Sequence, residues 1–74
     1  NSRNKTSLLP HEKLSEREMQ VLSQIVKGKE VGEISKSLFL SVSTISTYRH
    51  RILTKMEMKT NSELITYAFR NQLF

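Results

Sequence analysis

A chain of 74 residues without a cysteine allows one small domain and excludes a disulfide framework or a thiolate metal site. No apolar run approaches the roughly 18 residues of a membrane span, and no signal-peptide pattern opens the chain, so a cytoplasmic protein with no membrane partner is expected. The net charge of +5, from 12 Lys and Arg against 7 Asp and Glu, favours nucleic acid or another anionic surface as partner.

Residues 1–13 are polar, contain Pro10 and lack periodicity. They read as a linker or N-terminal arm ahead of a domain at 14–74. Asn1 stands where an initiator Met would, which points to a piece of a longer protein. Arg3 and Lys5 are candidates for phosphate contact, although a solubilising tail explains them better.

The first helix begins at Ser15. Ser15 and Glu18 form an S-x-x-E capping box, with Leu14 placed as a hydrophobic staple. Met19, Leu22, Ile25 and Val26 make the apolar stripe. Gly28 stops the helix, and Lys27 suits its negative end. A short helix over 31–38 follows, with Ile34 and Leu38 on one face and a small Ser35 between them. Gly32 weakens it by up to about 1 kcal/mol relative to Ala, and Glu30 is a poor N-cap, so this element is expected to fray. Phe39 and Leu40 form a tight apolar corner.

The stretch 41–56, SVSTISTYRHRILTKM, organises the rest. Ser41 is a good N-cap. At about 100° per residue, Val42, Ile45, Ile52, Leu53 and Met56 fall on one face. Ser43, Ser46, Thr47, His50, Arg51 and Thr54 fall on the opposite one. That outer face holds short hydroxyls, a His and an Arg, and no acid. Short hydroxyls let a helix lie close to a surface, and donors without carboxylates suit a polyanion. Arg49 projects among the apolar residues. A buried guanidinium needs a partner, and Glu18 or Glu33 is the expected one.

A last helix starts after Thr60, where Thr60 and Glu63 repeat the capping box. Leu64, Ile65, Ala68 and Phe69, with Tyr67, Leu73 and Phe74, cover more than one packing stripe. Extra core and a subunit contact explain this equally well.

Two short helices joined by a tight turn define a helix-turn-helix. Ile34 and Ser35 supply the apolar and small residues of its first helix, Leu40 the plug, and Ile45 and Ile52 the inner anchors of its second. The motif spans about 30–49 and its recognition helix about 42–56. Phe39 stands near the place where such turns often have glycine, so this turn must be made differently.

The motifs LSEREMQVL, EIS-SLFLSVSTISTYRHRILTKM and NSELITYAF resemble the DNA-binding domain of the LuxR/NarL/FixJ class of bacterial transcription regulators. The segment STYRHRIL is similar to the output domains of response regulators of the BvgA and EvgA type. The resemblance covers the chain from Leu14 onwards. It implies an all-α, four-helix domain with a helix-turn-helix, usually C-terminal to a phosphorylatable receiver domain. It also implies promoter double-stranded DNA as partner, a homodimer through the last helix (64–74), and RNA polymerase as a further contact. Carried over by position, the base-reading residues are Ser46, Thr47 and His50, with Ser43 at the edge. Relatives often have Lys where Ser46 stands and His where Tyr48 stands. The readout should therefore lean on hydroxyls and imidazole. Tyr48, Thr44, Arg51 and Lys55 lie on or beside the outer face and suit phosphate contact.

Two other readings compete. A sigma-factor-like promoter-recognition domain uses a similar motif. A basic helical protein-interaction domain would explain the apolar last helix, but not the acid-free hydroxyl face. No enzyme, cofactor or metal is expected: no nucleophile–base pair or phosphate loop is present, and His11 and His50 have no companions to complete a metal set.

Overall fold

The computed structural model describes residues 9–74; Arg3 and Lys5 lie outside the described residues. Four α-helices follow a 3-10 turn at Pro10–Lys13: α1 over Glu16–Val26, α2 over Val31–Leu38, α3 over Val42–Met56 and α4 over Asn61–Arg70. No strand occurs among the described residues, so the expected all-α class holds.

Local chemistry starts each helix. The Ser15 hydroxyl accepts from the Glu18 N–H at 3.2 Å, and the Glu18 carboxylate accepts from the Ser15 N–H at 2.8 Å. Thr60 and Glu63 repeat this reciprocal pair at 3.2 and 3.0 Å. Each such cap contributes about 1 kcal/mol. Ser41 caps α3 through the Thr44 N–H at 3.0 Å. At α2 the Glu33 carboxylate accepts from the Glu30 N–H at 3.0 Å, which secures a start that Glu30 alone would leave loose.

The helix ends share one device. A residue with positive φ follows each helix: Gly28 at 87°, Phe39 at 58°, Glu57 at 57° and Gln72 at 52°. The next N–H then turns back to a carbonyl five residues earlier, as from Lys29 to Gln24, Leu40 to Ser35, Met58 to Leu53 and Leu73 to Ala68. This satisfies carbonyls that the helix leaves unpaired. Only the first of the four is glycine; a side chain in this region costs about 1 kcal/mol.

The core gathers Val21, Leu22 and Ile25 of α1, Ile34 of α2, Ile45, Ile52, Leu53 and Met56 of α3, and Leu64 and Ala68 of α4. Fully burying a Leu or Ile contributes about 2 kcal/mol. Helix α3 is the hub: it packs on α2 and α1 and carries the 3-10 turn, whereas α4 packs on α1.

Several expectations change. Pro10–Lys13 is not plain arm: the Leu9 N–H is held by Glu12 at 2.8 Å, and His11 Nδ1 lies 2.8 Å from the Tyr67 hydroxyl. Four residues are too few to show a period, so the pattern could not reveal this turn. In α1, Val21 is fully buried and Met19 and Val26 are half-buried. At the α2–α3 corner Leu40 packs on the core, but Phe39 is 93% exposed. Val42, placed on the inner face by projection, is 50% exposed. It opens α3 ahead of the first turn that reaches the core, where Ile45 is the first buried side chain.

Candidate nucleic-acid interface

Ile45, Ile52, Leu53 and Met56 pin α3 inward, and this alone decides what the opposite face shows. Ser43, Ser46, Thr47, His50, Arg51 and Lys55 are exposed, while Thr44 and Tyr48 are half-buried. None of the candidate residues is in the interior. Tyr48 packs against the core edge. Ser43, Thr44, Thr47, Tyr48 and Arg51 together line a shallow depression of about 180 Å³. His50, Arg51 and Lys55 line a second one with Glu18 and Thr54, of about 440 Å³.

Hydrogen bonds within the domain give the hydroxyls different characters. Thr47 Oγ1 donates to the Ser43 carbonyl at 3.1 Å. Its single proton is thereby engaged, and its lone pairs are left to accept from a base amino group. Thr44 Oγ1 accepts from the Ser41 hydroxyl at 2.9 Å, which leaves the Thr44 proton for an acceptor such as a phosphate oxygen. The Ser41 proton is engaged by Thr44 Oγ1, and its oxygen accepts from the Thr44 N–H.

Two charged residues behave differently from the sequence reading. Arg49 does not pair with Glu18 or Glu33. It is half-buried, and its Nε donates to Asn61 Oδ1 at 2.8 Å, linking α3 to the start of α4. Glu33 is directed instead to its own helix start, and Glu18 takes Lys55. The Lys55 ammonium lies 2.8 Å from Glu18 Oε1, the lysine side chain being 41% exposed and the glutamate 3%. Burial pushes the Glu18 carboxyl up, but the Lys55 hydrogen bond, the Ser15 N–H and the lysine charge together hold its pKa below the ordinary carboxylate value. Glu63 is also held low, by the Lys59 and Thr60 N–H groups. Lys55 is thus a strut that fixes the far end of α3 on α1. Sequence reasoning missed Glu18 as its partner; the one available signal was a lysine one turn beyond Ile52, beside the inner face.

Residues 12–68 match the model of "Bacterial regulatory proteins, luxR family". The chain belongs to the luxR family. It is 38% identical over 65 residues to the transcriptional regulatory protein LiaR of Bacillus subtilis, covering 88% of this chain and 31% of that protein. It is 42% identical over 64 residues to the response regulator UvrY of Escherichia coli, covering 86% and 29%. To the DNA-binding transcriptional activator EvgA of Escherichia coli it is 38% identical over 60 residues, covering 81% and 29%. The chain therefore spans about three tenths of the length of these relatives. Membership in the luxR family places it among regulatory proteins rather than enzymes. No helix among the described residues is long and apolar enough to cross a membrane.

Proposed function

We propose that this luxR-family domain binds promoter DNA in a sequence-specific manner and thereby regulates transcription, as the output domain of a cytoplasmic two-component response regulator. The observation that carries the reading is the exposed, acid-free outer face of α3, held outward by four buried aliphatic side chains. That face enters the major groove. Ser43, Ser46, Thr47 and His50 meet base edges. Thr44, Tyr48 and Arg51 seat the domain on phosphates, with Lys55 orienting the helix and adding positive charge.

Helix α4 supplies the homodimer contact over 64–74. After Leu64 and Ala68 are buried, it still exposes Ile65 at 37% and Phe69 at 85%, one turn apart. A two-fold pair of domains then reads two half-sites. A receiver domain precedes the chain in the full-length protein, by analogy with relatives named as response regulators, and RNA polymerase is a downstream contact.

Selection of bound sequences from a random DNA pool tests the reading. The expected product is an enriched motif with two inverted half-sites. A pool that returns no enriched sequence at low salt rejects it.

A further inference from the structure

Between Glu33 and Glu57 the chain has no acidic residue, yet it holds Lys36, Arg49, Arg51 and Lys55. Within that stretch Phe39 is anomalous. It adopts the left-handed conformation at φ 58°, ψ 41°, which glycine occupies without strain, and its ring is 93% exposed. Neither core nor turn requires a ring there. Leu40 supplies the apolar plug, and the Leu40 N–H to Ser35 carbonyl bond closes the turn. Val42, on the other side of the capping Ser41, adds a second exposed apolar side chain. The exposed rings of Phe69 and Phe74 belong instead to α4 and the chain after it.

We propose that Phe39 is an apolar DNA contact that seats its ring on a thymine methyl group at the edge of the site, with Val42 beside it; this rests on the DNA-binding reading above. A protein covering this corner would have to bring a carboxylate to the exposed Lys36, three residues before Phe39, whereas DNA brings phosphates. The corner directly precedes the end of α3 that approaches base edges in a helix-turn-helix. Thymine methyls are the apolar groups that the major groove displays, and Phe is among the side chains that take them. A strained, exposed ring that does nothing in the free domain is accounted for by the bound one.

The test uses the 74-residue chain and a duplex that the wild type selects from a random pool, with each thymine replaced in turn by uracil, which removes only the methyl group. Phe39→Gly relieves the left-handed strain and raises Tm by about 4 °C, yet weakens the duplex roughly fivefold. Phe39→Asn, which also tolerates this conformation, loses as much affinity. Uracil at one or two positions weakens the wild type by a similar factor and leaves both variants unchanged. Variants that bind as tightly as wild type overturn the proposal, as does a loss with Gly that Asn does not share. So does the absence of any uracil position that affects wild type alone. A wild-type chain that enriches no sequence removes the DNA-binding reading itself, so the two failures are distinct.

Discussion

Helices α3 and α4 are both amphipathic, and what each leaves outside is opposite in kind. α3 presents hydroxyls, an imidazole and a guanidinium; α4 presents Ile65 and Phe69. The two also differ in how firmly they are held. α3 buries four side chains and is tied at its far end by Lys55 to Glu18. α4 buries two and is tied by Asn61 to Arg49 and by Tyr67 to His11. A surface that reads hydrogen-bond patterns needs fixed geometry, because a donor misplaced by 1 Å loses its partner. A surface that buries rings against a copy of itself gains from area and tolerates adjustment.

The sharpest way to break this contrast is to cut the tie that holds the far end of α3 on α1. Glu18→Ala removes the acceptor of both the Ser15 cap and Lys55. A lost cap and a lost charge-assisted bond, the latter discounted because Lys55 is 41% exposed, come to about 2 kcal/mol. For so small a domain, thermal denaturation should show Tm lower by about 10 °C. The pH dependence has a definite sign. Glu18 and Glu63 both titrate below their ordinary value of 4.5 in the folded state, so the unfolded chain binds more protons in acid. Stability is therefore full above that value and falls as pH drops below it. In Glu18→Ala this acid-side loss should be shallower; an unchanged slope would show that Glu18 does not contribute.

Next in size is the α4 face. In the proposed homodimer, Phe69→Ser should raise the dissociation constant at least tenfold, about 1.4 kcal/mol. An 85% exposed side chain should leave monomer stability within about 0.5 kcal/mol. Sedimentation of the variant beside Thr47→Ala separates the two surfaces, since the latter should associate as wild type does. Loss of association in both variants would mean that the faces are not independent.

On the α3 face, the residues differ in what they cost when removed. Thr47→Ala deletes an acceptor facing outward and should relax preference at one base position by about 1 kcal/mol. Arg51→Ala should weaken every sequence alike and make the dependence of log K on log salt shallower by about 1. Titrations of matched and mismatched duplexes at several salt concentrations check both. A uniform loss for Thr47→Ala would argue against base contact.

How much of this was legible beforehand follows the range of each interaction. The caps at Ser15 and Thr60 lie within three residues of their partners, and their spacing alone reveals them. The outer face of α3 follows from one period applied to one helix. The partner of Arg49 does not: it depends on where α4 begins relative to α3, and Asn61 carries no charge to announce itself. Glu18 looked like a capping residue and is one, but the same Oε1 also accepts from Lys55, 37 residues away. Phe39 misled for another reason. The sequence places it near a position where such turns often have glycine and so suggests a different turn, but the backbone dihedral shows the same left-handed turn made with a phenylalanine in it.

The smallest expected effect concerns the support beneath that turn. Gly32 lies inside α2, where a glycine costs up to about 1 kcal/mol relative to Ala. Its φ is not positive, and a Cβ built there meets no atom within 4 Å. Nothing in the free domain therefore requires glycine, and Gly32→Ala should raise stability by about 0.5–1 kcal/mol, chiefly by restricting the unfolded chain. Denaturant unfolding should show a higher midpoint with the same slope. DNA affinity then becomes the informative measurement. If α2 only supports α3, affinity stays unchanged while stability rises. If it falls, the open space beside Gly32 is occupied in the complex, and the DNA-contacting surface extends beyond α3 to the helix that crosses the phosphate backbone in this motif.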